Sequence, residues 1–269
     1  ELYHAISTQA PDDLARELSI SEDKAELLLP TAMIYHNIFE ETDAEFMWLS
    51  GITICDGMAA DFAECKEHIV PAHPFSDDII SVSRKLAERF CCDTEHIHQV
   101  EIAALKLFDA LRKANHLTKK DRLLLQIAAI LHNCGSFLNL NDIGENSYKI
   151  VTSTEIIGLS HQERMIVAYV IRYTTGDFPE YSEIKNEFSR EEYIKIAKLN
   201  AILCLADAMD RSHQQKFTNF TVRKRGYDLT ITGQTLYDIT LEHGMFIQKS
   251  PFFEEAFGIR PVLRQKKCL

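Results

Sequence analysis

No apolar run in the 269-residue sequence approaches the roughly 20 residues that a helix needs to cross a bilayer. No signal-peptide pattern opens it either. The first residue is Glu rather than Met, and residues 1–4 read as the interior of an element already under way. The sequence is therefore expected to be a piece of a longer protein. The seven cysteines include no Cys-x-x-Cys pair, and their number is odd. A disulfide framework or zinc knuckle is thus disfavoured, and reduced buried thiols in a cytoplasmic protein are expected. Internal repeats and low-complexity segments are missing, and there is one tryptophan, Trp48, which reads as a packing residue on a short strand.

What is present suits an ordinary folded protein long enough for more than one domain: 46% hydrophobic and 26% charged residues. The net charge of −11 argues against a general nucleic-acid binder. The charge is uneven, however. From Arg211 onward ten Lys and Arg face five acids, a surplus of five, so the remainder carries −16. Two readings of that basic end stand side by side: a solvated face, or a local attraction for a polyanion.

Three regions follow from the patterning. Residues 1–70 read as helix, strand, helix. Ser21 caps a helix start, Pro30 is expected to divide the run into two helices, Phe46 to Ser50 forms a strand, and Gly51 and Gly57 break before a helix over 58–67. One strand cannot make a sheet, so this region looks like the tail of a larger α/β domain. Residues 71–215 are helical almost throughout. Val100, Ala103, Ala104, Leu107 and Leu111 share one face, as do Leu124, Ile127, Ala128 and Leu131. Ser160 with Glu163 and Ser189 with Glu192 are capping boxes. From Phe217 the period becomes two. A hairpin turns at Arg225-Gly226, a strand is expected over 237–241, and a helix over 243–257 is broken near Pro251 and closed by Gly258. Ile259 to Leu263 is a final strand. Residues 216–269 are thus a small α/β appendage, and the fold class is mainly α.

The end of the helix from Lys119 carries Leu131-His132-Asn133-Cys134-Gly135. A divalent metal held by His, His-Asp and Asp draws its ligands from separate helices, and neutral imidazoles and carboxylates suit such an ion. The candidates here are His96, His132, Asn133 and Asp207. Asp207 lies on the apolar face of its helix, where a carboxylate is costly unless paired or bound. The alternative reading makes His132 a hydrogen-bonded core histidine, His96 a solvent-facing residue at a helix start, and Asn133 a bonding partner of Asp207 or of the helix end.

Several words then resemble a known family. They are KLFDAL at 106–111, ILHNCG at 130–135, TEIIGLSHQER at 154–164 and LADAMDRSH at 205–213. The family is that of exopolyphosphatases and guanosine pentaphosphate phosphatases. LPTA at 29–32, WLSG at 48–51 and DGM at 56–58 resemble the last part of its catalytic actin-like ATPase (ribonuclease H-like) domains, and FFEEAFG at 252–258 resembles its C-terminal segment. The resemblance implies a helical domain of the His-Asp phosphohydrolase-like (HD-like) class. It places the family's catalytic carboxylate and glycine loops in an N-terminal half not matched here, since Gly51 and Gly57 form no phosphate loop. It also implies a part in holding polyphosphate or a guanosine phosphate and in building a homodimer. Mg or Mn belongs to the full-length parent; no cofactor, membrane contact or specific nucleic acid is expected of this chain.

Three departures weigh against a working metal centre. Asn133 stands where the intact signature has Asp, Glu145-Asn146 replace a His-x-His run, and Thr174 replaces a His after Arg172-Tyr173. No metal is expected at the altered His96, His132, Asn133 and Asp207 positions. The phosphate-contact candidates are Arg172, Arg211, His213 and Lys216, because guanidinium and ammonium groups pair with phosphate oxygens. Cations at a helix end also suit its dipole, which is the alternative. Arg223-Lys224-Arg225 reads as a charged hairpin tip.

Overall fold

A computed structural model describes residues 2–42, 46, 51, 53–65, 75–112, 116–217 and 219–266. The chain divides into two compact units, residues 1–71 and 72–269.

In the first unit, α1 (Leu2–Thr8) and α2 (Pro11–Leu18) pack on α3 (Glu22–Glu40), and α4 (Ile54–Cys65) follows. Ile6, Leu14, Ala15 and Ala25 form its small core. Pro11 begins α2, where its missing N–H costs nothing. The expected division at Pro30 does not occur, because α3 runs through it as one helix of 19 residues. A single lost hydrogen bond does not part so long a run when the other bonds persist on both sides. Gly57 likewise lies inside α4. The expected strand over 46–50 and Trp48 fall outside the described residues, apart from Phe46. Among the described residues this unit has no strand.

The second unit is a mainly helical domain with a small α/β appendage. Its helices are α5 (Phe75–Arg89), α6 (Thr94–Leu111), α7 (Lys119–Leu131), α8 (Ile143–Ser153), α9 (His161–Arg172), α10 (Tyr181–Ile184) and α11 (Arg190–Ala208). Then come β1 (Asn219–Arg225), β2 (Asp228–Gln234), α12 (Thr240–Phe257) and β3 (Arg260–Lys266). Side-chain caps start the helices: Asp93 for α6, Thr118 with Asp121 for α7, Ser160 with Glu163 for α9 and Ser189 with Glu192 for α11. The central helix, α11, packs on α6, α7, α9 and α12. Ten of its residues are buried, so it is apolar on almost every side.

The sheet has the order β1-β2-β3. The β1–β2 hairpin is antiparallel, and β3 joins β2 in parallel after the α12 crossover. Two expectations fail here. Residues 237–241 form no strand: Asp238 accepts hydrogen bonds from the Thr240 amide and hydroxyl at 3.0 and 2.6 Å and turns the chain into α12. Pro251 sits inside α12 without ending it, and Gly258 closes the helix at φ +63°. Phe217, Phe220, Leu229, Ile231, Phe246 and Phe253 share one core with the helices before residue 216.

One glycine fixes the geometry near the end of α7. A Cβ on Gly135 would stand 2.3 Å from the Ile143 carbonyl oxygen and 2.4 Å from the Ser147 amide. Only a residue without a side chain lets α8 approach this closely. The Ser147 hydroxyl then donates to the His132 carbonyl at 3.0 Å and accepts from the Gly135 amide at 2.8 Å. The turn that carries His132 is thereby held against α8.

Candidate functional site

His132 is the C-cap of α7 and His96 occupies the first turn of α6, where Asp93 caps the His96 amide at 3.2 Å. Both imidazoles are buried, as is Asp210 just past α11. His96 therefore does not face solvent. The partners decide which ring nitrogens carry protons. His132 Nδ1 lies 2.8 Å from the Ala129 carbonyl, which can only accept. His96 Nδ1 lies 2.9 Å from Asp210 Oδ2, and the Gln215 amide and side chain also donate to that carboxylate at 2.7 and 3.2 Å. Each Nδ1 is thus a donor, and each Nε2 is left to face inward.

The two Nε2 atoms stand 3.2 Å apart. Asp207 Oδ1 completes the group, 3.4 Å from His96 Nε2 and 3.6 Å from His132 Nε2. Three lone-pair donors converge, and they need either a shared proton or a cation between them. The proton version is visible in the electrostatics. Burial opposes a charged His96, but Asp207 and Asp210 outweigh it and push its pKa up to about 9. Burial likewise opposes the Asp207 carboxylate, yet the His132 and His96 rings beside it hold it well below the usual carboxylate range. The cation version fits as well. Ligand atoms about 2.1 Å from a tetrahedral ion stand roughly 3.4 Å apart, and here all three lie within 4.8 Å of one another. Asp210 and the Ala129 carbonyl already orient both imidazoles from behind, as the outer partners of a metal-bound histidine do.

Asn133 lines the cleft over these donors, a space of about 390 Å³, together with Ser136, Leu140, Thr174, Thr175 and Arg211. Its amide forms no hydrogen bond among the described residues, so the expected bond to Asp207 or to the helix end is not made. Two of the three departures noted in the sequence, Asn133 and Thr174, therefore meet at one wall. The third is elsewhere, where Glu145 accepts from Arg172 at 2.7 Å.

Of the four candidate cations, two reach the cleft. Arg211 Nη1 lies 3.7 Å from Asp207 Oδ2, and its side chain is 42% exposed at the mouth. The His213 ring stacks on His96 at 3.6 Å and 7°, and its Nδ1 meets Asp93 Oδ2 at 2.9 Å. His213 and Gln215 both have left-handed backbones, φ +54° and +45°. Neither is a glycine, so this strap after α11 is strained where it closes over His96. Arg172 lies apart, its guanidinium 4.5 Å from the Tyr148 ring centre and paired with Glu145. Lys216 is also elsewhere, 3.1 Å from the fully buried Glu242, which the Ser212 hydroxyl bonds too. Asp93, Asp210 and Gln215 were not singled out from sequence. Asp210 stands three residues after Asp207, a same-face spacing that is the one signal it offers.

The profile described as Ppx/GppA phosphatase, domain III, matches residues 80–248. The chain belongs to the Ppx/GppA phosphatase family. The matched span holds every residue of the cleft and the β1–β2 hairpin, and ends before β3. None of the curated proteins matches the chain. As a Ppx/GppA domain, the helical unit is part of a phosphatase family, and none of its described helices is long and apolar enough to cross a membrane.

Proposed function

We propose that this chain is the accessory C-terminal part of a Ppx/GppA phosphatase and that its helical unit binds a phosphate-bearing ligand, the end of a polyphosphate chain or a guanosine phosphate, in the His96–His132–Asp207 cleft. Dimerisation of the parent belongs to the same reading. The observation that carries it is the convergence of three metal-type donors beneath Arg211. The charges make the binding cation-dependent. Asp93, Asp207 and Asp210 outnumber Arg211, so a phosphate dianion alone would meet a neutral or negative cleft. A divalent ion held by His96, His132 and Asp207 would cancel that surplus of acids and neutralise a phosphate oxygen. Asn133 helps in this role, because a neutral amide leaves more of the ion's charge for the ligand. Arg211 then orients the anion from the exposed side, and Thr175 offers a hydroxyl donor on the wall.

Calorimetric titration of tripolyphosphate tests this. Binding is expected with Mn²⁺ or Mg²⁺ and is expected to disappear with chelator, in His132→Ala and in Asp207→Asn. Equal binding with and without the ion would sink it. The second reading is a metal-dependent phosphohydrolase, favoured by the same three donors and the open side of the cleft. Release of phosphate from tripolyphosphate or a guanosine phosphate at an enzymatic rate, lost in Asp207→Asn, would select it.

A further inference from the structure

The basic C-terminal region takes a definite form in the sheet. Alternation puts Phe220, Leu229, Ile231 and Leu263 on the core side. The other side is a solvent face of four registered rows. They are Arg225–Asp228–Arg260, Arg223–Thr230–Val262, Thr221–Thr232–Arg264 and Asn219–Gln234–Lys266. Five cations thus share this face with one acid. Asp228 is taken by Arg260 at 3.0 Å. Among the described residues Arg223, Arg225, Arg264 and Lys266 have no ion-pair partner. A shallow depression of about 420 Å³ lies on this face, with Asn219, Thr221, Arg223, Thr232, Gln234 and Lys266 along it. A four-charge surplus on a chain of net −11 is a local field that a polyanion would find.

We propose that this face binds single-stranded nucleic acid through its phosphate backbone, without reading sequence. The face is roughly 20 Å long and roughly 10 Å wide, from the rise per residue and the strand spacing. Its free cations are spread out and separated by hydroxyl and amide groups. That suits a polymer whose phosphates are separated by sugars, to which Thr, Asn and Gln also donate. An inorganic polyphosphate carries charge on every adjoining unit and calls for denser cations. Tyr227 at the hairpin tip is 84% exposed beside Arg225, and its carbonyl accepts from the Arg260 amide at 2.7 Å. Its ring is a ready platform for one unstacked base. The body's negative charge keeps the binding weak and salt-sensitive. None of this depends on the cleft.

Fluorescence anisotropy of a fluorescein-labelled uridine 15-mer RNA with the whole chain tests it. A dissociation constant on the order of 10⁻⁶ to 10⁻⁴ M is expected, with a log–log salt slope of about −3 from four free cations. The triple variant Arg223→Gln/Arg264→Gln/Lys266→Gln changes only exposed side chains, and circular dichroism checks its fold. It is expected to bind at least tenfold more weakly, with a slope near about −1. No binding at 100 µM protein in 50 mM salt, or an unchanged triple variant, overturns the proposal. Linear polyphosphate displacing the RNA at a tenfold lower phosphate concentration overturns it too, by assigning the face to an inorganic polyanion.

Discussion

Replacing Lys216 by Met asks whether this lysine serves the fold or a phosphate ligand. Its ammonium lies 3.1 Å from Glu242, whose side chain is 0% exposed, and its own side chain is only 12% exposed. The Ser212 hydroxyl and amide add two hydrogen bonds to the same carboxylate. Methionine keeps the buried stem but removes the charge, leaving a buried carboxylate held by Ser212 and its own backbone amide, with no cation beside it. Breaking one side of a buried pair costs about 3–5 kcal/mol. For a unit of this size that lowers Tm by roughly 6–20 °C. Urea unfolding followed by circular dichroism measures the cost. The double variant Lys216→Met/Glu242→Gln is expected to recover much of it, because a neutral amide is less costly to bury than an unpaired charge. The pH dependence has a definite sign. In the native protein burial raises the Glu242 pKa, but Ser212 and Lys216 outweigh it and leave the carboxyl below its usual value of 4.5. Its stabilisation is present above that value and is lost as pH falls through the folded pKa. In Lys216→Met burial prevails and the pKa rises, so the variant's deficit shrinks as pH is lowered toward 5. A loss under about 1 kcal/mol, or a double variant worse than the single, would refute the buried-pair account.

Three further outcomes follow from the geometry. Gly135→Ala is expected to cost about 1–3 kcal/mol or more by overpacking the α7–α8 approach, read by thermal unfolding; a neutral effect would mean that α8 yields freely. In the presence of chelator, the stability that the charged His96 supplies should be complete below pH 6.5 and lost as pH rises through about 9. A His96→Gln variant whose Tm deficit stays constant from pH 6 to 10 would contradict it. Iodoacetamide at pH 8 should label the exposed Cys55 and Cys91 in the native protein. It should spare Cys92, Cys134 and Cys204, whose thiols burial pushes up to about 12, 11 and 12, and mass spectrometry of the labelled peptides decides this.

Local chemistry explains what the sequence made legible. The Ser160 and Ser189 boxes, the hairpin at Gly226 and the stop at Gly258 are each written in three or four neighbouring residues, and each is where the pattern put it. The positions of Pro30 and Pro251 were misread because proline removes one hydrogen bond but does not decide whether the remaining run can bear the loss. Residues 237–241 have strand-like composition, but Asp238 overrides it through bonds of its own side chain. At the site, His96, His132 and Asp207 were recoverable because each sits at a recognisable place on its helix. Arg172 and Lys216, named from sequence as phosphate-contact candidates, lie apart from that cluster. Their partners, Glu145 and Glu242, are 27 and 26 residues away in sequence and give no sign of themselves until the chain is folded.

The order of the sheet also has a consequence for how the chain acquires its shape. The β1–β2 hairpin closes across two residues, a local event, whereas Asp228 of β2 meets Arg260 of β3 only after the whole of α12 has intervened. Hairpins form in about 1–10 µs, and parallel pairings across a crossover are slower because the loop must close first. β2 therefore passes through a period with one edge open, while its Leu229 and Ile231 side chains are ready to be buried. Until β3 arrives, that edge is the part of the molecule most prone to pair with a neighbour. Arg223, Lys224 and Arg225 on the neighbouring β1 keep a second chain at a distance during that interval.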